Sequence, residues 1–503
     1  MPRMARLGVK EHRRMWSVRG TAMLCLALPI TGLAVETGGG GAGVLGSQMA
    51  MEPQLPTSGA TTGLPSLPAL FSLALENDSD LASQRYELEA TTKEIDMAWS
   101  QLKPQVSAGA SYMYQVSDNY YTDNPDYDPS NEVVGSDDNA ARFEGRTRDT
   151  TWQVSLTQPL FSLERWRGVD EAEAQVEVAQ LELAVGENEL AMAVIDAYLN
   201  AFLASREVGL MESKREAFEL QYRQASRAYE LGVGDRLNML ESKARLDQAI
   251  ADRIQAENAL DSALGELERL TGQRPEFGEA LGNLQDVNLV PVEGDVEEWV
   301  ARTTDNLSVR LAERQLDVAQ ASTDTRRGGY YPEVNLSVSY FGRDSNDPFR
   351  ESRDGRASVE VEVPIYQGGY TSASVRQGEL SILASQESLT HQQRLARQEV
   401  RERLRNISGN LHQLSALSQS LESSRLFLEA AEKGEQLGLR NLVDVLDARA
   451  ELYDQRVQYV DVVRQYLVDR LSLEVAVGDL GSDDLMRAME TLEALTRATQ
   501  AVG

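Results

Sequence analysis

The chain has 503 residues and counts 79 acidic against 49 basic side chains, which gives it a net charge of -30. This charge disfavours nucleic acid and anionic lipid surfaces as partners. Beyond residue 34 the sequence contains no cysteine and only two histidines, so zinc sites built on cysteine and histidine are excluded and histidine catalysis is disfavoured. We expect no enzyme activity, no metal and no cofactor.

Residues 1–34 have the pattern of a secretory signal peptide, with a basic start, an apolar run from Ala22 to Ile30 and small residues that end at Ala34. The single cysteine, Cys25, lies inside the apolar run behind two bulky residues, which does not fit a lipid-modified cysteine. Residues 35–66 are rich in glycine and proline and predict a disordered leader. The protein is therefore expected to leave the cytoplasm without a lipid anchor.

The sequence after the leader repeats one plan. The stretch VSLTQPLF at Val154 aligns with VEVEVPIY at Val359, and LGVGDRLNMLESKA at Leu231 aligns with LGLRNLVDVLDARA at Leu437, both about 205 residues apart. Each half reads helix, strand, loop, strand, very long helix, turn and helix. The two predicted halves are residues 67–271 and residues 301–477.

The predicted strands alternate apolar and polar residues. In VSAGASYMYQV, from Val106 to Val116, valine, alanine and tyrosine share one face, and VNLSVSYF, from Val334 to Phe341, follows the same rule. Both are close to the 9 to 11 residues that cross a bilayer at a tilt, and both carry tyrosines toward the loop end, where an aromatic girdle is expected. On its own, the alternation favours a half-exposed sheet of a soluble sandwich.

Two proline-free runs, from Arg167 to Glu230 and from Thr371 to Glu435, predict helices of roughly 95 Å. The first carries two apolar stripes on opposite sides, separated by a polar face that includes Asp196 and Asn200. The stripes are Leu190, Val194, Ala197, Ala201 and Ala204, and Met192, Ile195, Leu199 and Phe202. Two seams favour the wall of a helical cylinder over a two-stranded coiled coil, with a helix inside a bundle core as the alternative.

Four strands per chain are too few to close a barrel around a channel, so several chains must contribute. In the fourth strand the valines are expected to face lipid, with Glu360 and Glu362 in a water-filled lumen. The strand-to-helix transitions are expected at two prolines, which end the ladder, and at a glycine pair, which lets the backbone bend. These residues are Pro159, Pro364, Gly368 and Gly369.

The stretches VPIYQGGYTSASVRQ, QPLF and LGLRNLVDVLDA resemble the TolC family of outer-membrane channel proteins, and the resemblance runs from about Leu67 to Leu485. It implies a homotrimer with a 12-stranded transmembrane β-barrel in the lipid of a Gram-negative outer membrane, four strands per chain, continued by a long periplasmic α-helical barrel. Such proteins are passive exit ducts of tripartite efflux pumps or type I secretion systems. Their partners are a periplasmic adaptor and an inner-membrane transporter of ABC or RND type. Residues 272–300 and 478–503 correspond to an equatorial belt around the helical barrel.

The turns between the long and short helices contain the predicted periplasmic gate. Asp235 and Asn441 occupy matching places and are predicted N-caps, each after a glycine, Gly232 or Gly438, that ends the preceding helix.

The resemblance implies that acidic residues of the second turn project into the closing tunnel. The matching positions are Asp444 and Asp447, three apart and so on one helical face, a spacing that is also typical of a solvated helix surface.

Arg440 matches a family arginine that is tied to a carboxylate of the first turn. That position is Asn238 here, so we expect Asp235 or Glu241, or a neutral hydrogen bond, to hold the gate.

Two other classes remain as alternatives: a structural periplasmic coiled-coil protein, and a secreted enzyme with paired carboxylates such as a glycosidase. An enzyme of that kind should have an aromatic-rich substrate cleft, yet aromatic residues make up only 6% of the chain. The long acidic loop of the first hairpin, residues 118–149, is expected to face the outside of the cell.

Overall fold

The computed structural model describes residues 64–120, 142–277, 289–346 and 350–497. The predicted signal peptide, nearly all of the predicted leader and most of the acidic loop of the first hairpin lie outside these residues. The helices of the described ranges are α1 (Leu67–Asn77), α2 (Ser79–Ser100), α3 (Leu163–Glu230), α4 (Arg236–Thr271), α5 (Val296–Ala301), α6 (Leu307–Gly328), α7 (Tyr370–Gln436), α8 (Leu442–Ala476) and α9 (Ser482–Arg497). The strands are β1 (Gln105–Tyr120), β2 (Arg142–Ser162), β3 (Glu333–Ser345) and β4 (Ser352–Glu362).

The element order follows the repeated plan, with α2, β1, β2, α3 and α4 in the first half and α6, β3, β4, α7 and α8 in the second. One difference precedes the first strand, where a single helix was expected. The backbone of Asp78 leaves the helical region (φ -68°, ψ 122°), and its side chain accepts a hydrogen bond from the backbone N–H of Leu81 at 2.8 Å. This N-cap starts a new helix, so α1 and α2 are separate elements.

The strands form one antiparallel sheet in the order β1-β2-β3-β4. The register places Val106 opposite Leu156, Leu156 opposite Val338 and Val338 opposite Ala357, so the apolar sides of all four strands share one face. The prediction that Pro159 ends the ladder is wrong, because β2 continues past it and Ser162 pairs with Glu333. The β2–β3 register shifts between Pro159 and Phe161, and this irregularity accommodates a proline that cannot donate a ladder hydrogen bond. Within the described residues, β1 and β4 each pair along one edge only.

The helices α3 and α7 contain 68 and 67 residues and are each about 100 Å long. α3 begins directly after β2, whereas α7 begins at Tyr370 after a connection of residues 363–369. Ser162 caps α3 through its side chain, and the N-cap of α7 is Gly369, whose φ of 86° lies in the left-handed region that favours glycine. With Gly368 also at a positive φ, 63°, the predicted bend from strand into helix is confirmed.

The largest apolar core lies around the middle of α3, where the two predicted stripes are buried or half-buried. Asn200 is exposed and Asp196 only half-buried, as the polar face predicted. Flanking segments pack here: the hydroxyl of Tyr198 donates to the carbonyl of Pro65 at 2.7 Å, and that of Tyr466 donates to the carbonyl of Val290 at 2.7 Å. These contacts bring the segments before α1 and before α5 onto α3 and α8.

None of the helices in the described ranges combines the length and the apolarity that crossing a membrane requires.

Candidate functional site

The apolar face of the sheet is exposed in the single chain. Val106 keeps 67% of its surface accessible, and Val359 and Val361 keep 60% each. A folded chain normally covers such a face with helices, yet the helices here start beyond the ends of the strands. An exposed apolar area of this extent marks contact with a partner or a membrane.

Aromatic side chains lie near both ends of the strands. Toward the hairpin loops, the rings of Trp152 and Tyr340 are 5.3 Å apart and Tyr112 is exposed. Toward the helices, Tyr331 and Tyr366 are also exposed. Nine residue steps separate Tyr331 from Tyr340, most of them in β3, and nine steps of extended chain span about 30 Å. Tyrosine and tryptophan favour the boundary between apolar and aqueous surroundings, so the two groups bracket an apolar band.

The opposite face of the sheet is polar. Hydroxyl pairs bridge β1 and β2, at 2.7 Å between Ser107 and Ser155 and at 2.6 Å between Ser111 and Thr151. Small neutral hydroxyls of this kind leave the face open to water along the middle of the strands.

The two glutamates that the sequence placed in a lumen lie on this polar face near the helices. Glu360 is opposite Asn335, and Glu362 is directly opposite Glu333. Like charges directly opposite each other repel. Arg165 of α3 lies 2.7 Å from the Glu333 carboxylate and neutralises one member of the facing pair.

The two turns between long and short helices have matching geometry. Gly232 and Gly438 end α3 and α7 at φ values of 74° and 72°. The Asp235 side chain accepts from the N–H of Leu237 at 3.2 Å, and the Asn441 side chain accepts from the N–H of Asp444 at 2.9 Å. Both predicted N-caps are confirmed.

The predicted gate residues pair differently from the expectation. Arg440 lies 3.5 Å from Asp444, one turn along the same helix, because side chains four residues apart are neighbours on a helix surface. The sequence predicts Asp235 or Glu241, or a neutral hydrogen bond, in this role. Within one chain the observed partner is Asp444, and pairing of Arg440 with the first turn stays a prediction.

An ion pair between Arg245 of α4 and Asp447 of α8 joins the two helical hairpins near these turns, beside an apolar cluster of Phe218, Ala249 and Leu446. Arg245 is not among the residues that the sequence pattern predicts for the gate. The available signal was its place, between two and three helical turns after the Asp235 cap, where α4 can face α8.

Farther along the helices, Lys214 of α3 joins both halves of the chain. Its ammonium lies 3.1 Å from Asp252 of α4 and 3.5 Å from Asp454 of α8, and only 10% of its side chain is exposed. A lysine this buried needs paired carboxylates to offset the loss of water. The three helices are therefore tied together at this level.

The α7–α8 pair carries a second buried polar network. Asp469 accepts hydrogen bonds from Arg403 and from Asn410, each at 3.0 Å. Nearby on α3, burial raises the pKa of Asp196 above its usual value, while Arg464 and Arg403 act in the opposite direction. Polar side chains thus set the alignment of the helices where the apolar seams alone would allow them to slide.

Comparison with known proteins gives matches along most of the chain. A family model described as Outer membrane efflux protein matches residues 70–273 and 303–479. Outer membrane protein TolC of Salmonella enteritidis is 25% identical over 435 residues, covering 84% of this chain and 84% of that protein. Alkaline protease secretion protein AprF of Pseudomonas aeruginosa is 25% identical over 425 residues, covering 82% of this chain and 85% of that protein. A crystal structure of CusC has a TM-score of 0.69 at 18% identity, covering 83% of this chain and 93% of that chain.

Proposed function

The chain belongs to the outer membrane efflux protein family, and on that premise we propose that three copies of it form the exit duct of a tripartite efflux pump or type I secretion system. The family consists of channel proteins, and the chain is an outer-membrane protein of this kind. The duct is passive, and no catalytic residue, cofactor or metal takes part in the proposal.

The observation that carries the proposal is the four-stranded sheet with an exposed apolar face and two unpaired edges among the described residues. An open edge in a bilayer leaves backbone N–H and C=O groups without water or partners, which costs several kcal/mol per group. Pairing β4 of one copy with β1 of the next removes every edge. Three copies give a barrel of twelve strands, wide enough for a water-filled lumen.

The spacing of the aromatic groups agrees with this orientation. Strands of a membrane barrel tilt by about 40°, so about 30 Å along the strand corresponds to an apolar band close to the usual height of about 25 Å. The apolar face then contacts lipid. The polar face, with Glu360 and Glu362, lines the lumen.

The helices continue the duct away from the membrane. In the single chain α7 exposes apolar side chains such as Leu380 and Leu383, and α2 exposes Tyr86 and Met97. We assign these exposed residues of α7 and α2 to the surfaces that contact the neighbouring copies and close an α-helical barrel. The segments around α1, α5 and α9 form the equatorial belt.

The hairpin turns lie at the far, periplasmic end and form the gate in this proposal. Asp444 and Asp447 supply carboxylates there, and Arg440 and Arg245 hold them in the closed state. Asn238, Asp235 and Glu241 are the first-turn residues that face this region.

The same end offers a surface for the periplasmic adaptor. Val233 and Leu439, one in each turn, expose 81% and 78% of their surfaces. Relatives are named for protease secretion and for cation efflux. The adaptor and an inner-membrane transporter of ABC or RND type would therefore select the cargo.

The test uses the full-length protein expressed in a Gram-negative host. We expect it in the outer-membrane fraction as a species that migrates as a trimer in an unheated gel and as a monomer after boiling. In a planar bilayer the purified trimer should form pores. A protein that stays in the soluble periplasmic fraction and gives no conductance would point to the structural coiled-coil alternative.

A further inference from the structure

The charge on the polar face of the sheet changes along the strands. The end near the helices carries Glu333, Glu360 and Glu362. Farther toward the hairpin loops the same face carries Arg356, opposite Ser339, and Arg343, opposite Ser352. These two arginines lie on neighbouring strands, four residues apart in register, which is about 13 Å along the strands.

Both arginines are free of ion pairs within the described ranges. The Arg343 guanidinium lies over the ring of Phe341, 5.5 Å from its centre, and its Nε is buried without a hydrogen-bond partner among the described residues. The ring holds the cation in place without neutralising it. Arg356 is exposed on the same face.

The other charged residues of this part of the face have defined roles. Arg350 lies 3.3 Å from Asp149 and donates to the hydroxyl of Thr147 at 3.0 Å. Asp149 is fully buried, so this pair is internally neutralised. Asp354, opposite Phe341, is exposed and is the remaining anion between the two free arginines.

We propose that Arg343, stacked on Phe341, and Arg356 form an anion-binding site in the outer half of the lumen, separate from the acidic end near the helices. Its ligands are polyanionic groups, since several phosphates on one molecule can reach both arginines. The inference rests on the proposed function, because the polar face lines a pore only when several copies close the barrel.

The experiment records single-channel current through the purified full-length protein, with inositol hexakisphosphate added to the hairpin-loop side. We expect transient block. The double variant Arg343→Gln/Arg356→Gln should raise the half-blocking concentration by about tenfold, because focused positive charge raises the local anion concentration. The double variant Arg343→Lys/Arg356→Lys should retain the block.

The matched control is Arg353→Gln. Arg353 lies on β4, like Arg356, but on the apolar face, where it is opposite Gly342. It pairs with Asp344 at 3.8 Å. In the Arg353→Gln variant, block by inositol hexakisphosphate should equal that of the unchanged protein. The anion site would be overturned, with the pore intact, if the glutamine double variant were blocked as strongly as the unchanged protein. The same would follow if Arg353→Gln weakened the block as much as the double variant does. Failure of the unchanged protein to form pores would instead contradict the proposed function and the site with it.

Discussion

At the residue scale, Lys214 ties α3 to both α4 and α8 through Asp252 and Asp454. Replacing it with methionine keeps its length but leaves Asp252 and Asp454 facing each other without the shared cation. We expect the free energy of unfolding to fall by about 1 to 3 kcal/mol. The change should lie at the low end of this range because Asp454 is more than half exposed. Thermal unfolding of the detergent-solubilised protein, followed by the helical circular dichroism signal, measures the change.

Lys243→Met is the control for that substitution, because Lys243 is exposed on α4. It should leave the unfolding temperature nearly unchanged. Equal shifts for both variants would mean that the contacts of Lys214 contribute no more than an ordinary surface charge.

Arg245 is the second residue with a specific expectation. Its pair with Asp447 joins α4 to α8, but both side chains are substantially exposed, at 40% and 56%. Such a pair stabilises the closed state of the gate by at most about 1 kcal/mol. Arg245→Gln should therefore raise the probability that the gate is open by up to about fivefold. Single-channel recording at the resting state reports the open probability.

Arg223→Gln provides the comparison, since the Arg223–Glu219 pair lies within α3 and joins no second helix. It should leave the gate closed. If Arg245→Gln behaves like Arg223→Gln, the two hairpins are held together by other contacts.

At the element scale, the packing of Trp152 on the apolar face of the sheet requires a glycine at a neighbouring position. A methyl group at Gly342 of β3 would lie 2.4 Å from Cε2 of Trp152, whereas at Gly355 of β4 its nearest neighbour, in Tyr340, is 3.5 Å away. Gly342→Ala should therefore displace the indole and lower the stability of the folded sheet by about 1 to 3 kcal/mol, as overpacking does. Gly355→Ala should be tolerated.

The measurement is the temperature at which the heat-resistant oligomer falls apart in a gel, together with tryptophan fluorescence in detergent. Gly342→Ala should lower the temperature and shift the emission. Identical behaviour of the two alanine variants would show that the position of the indole has no bearing on the stability of the sheet.

The elements themselves were largely readable from the sequence. Strand alternation and proline-free runs located all four strands and both long helices, because these patterns reflect local geometry with periods of two and of 3.6 residues. The turn caps at Asp235 and Asn441 were readable for the same reason. The break at Asp78 was also local, since NDSD is an N-cap sequence before a helix, but the helical pattern on both sides concealed it.

The pairings between distant residues could not be derived in this way. Lys214 meets Asp454 across 240 positions, and that meeting depends on how the two halves pack. Arg356 shares a face with Glu360 by alternation within β4, but Arg343 of β3 joins that face only through the register between β3 and β4. Periodicity assigns a residue to a face, whereas the residue opposite it depends on tertiary packing.

At the scale of the whole molecule, the central claim is that separate copies share one sheet. The single chain leaves an apolar face exposed and two strand edges open. The open edges are costly in lipid, and pairing β4 of each copy with β1 of the next removes them. The apolar face is costly only in water, and lipid covers it once the barrel is in the membrane. The lumen, the gate and the anion site all depend on that closure.

Cysteine cross-linking tests the closure directly, since no cysteine occurs beyond residue 34. Serines on the polar face provide sites near both edges: Ser107 and Ser111 on β1, and Ser352 and Ser358 on β4. Each β1 site is combined with each β4 site to sample the unknown register between copies. Ser337 and Ser358, opposite each other within one chain, give the control pair, which should cross-link without changing the mass of the monomer.

After oxidation in intact outer membranes, at least one β1–β4 pair should yield covalent dimers and trimers, with nothing larger, on a denaturing gel without reductant. Monomers alone for every β1–β4 pair, while the Ser337–Ser358 control cross-links within its chain, or a ladder that extends beyond the trimer, would contradict the closed three-copy barrel.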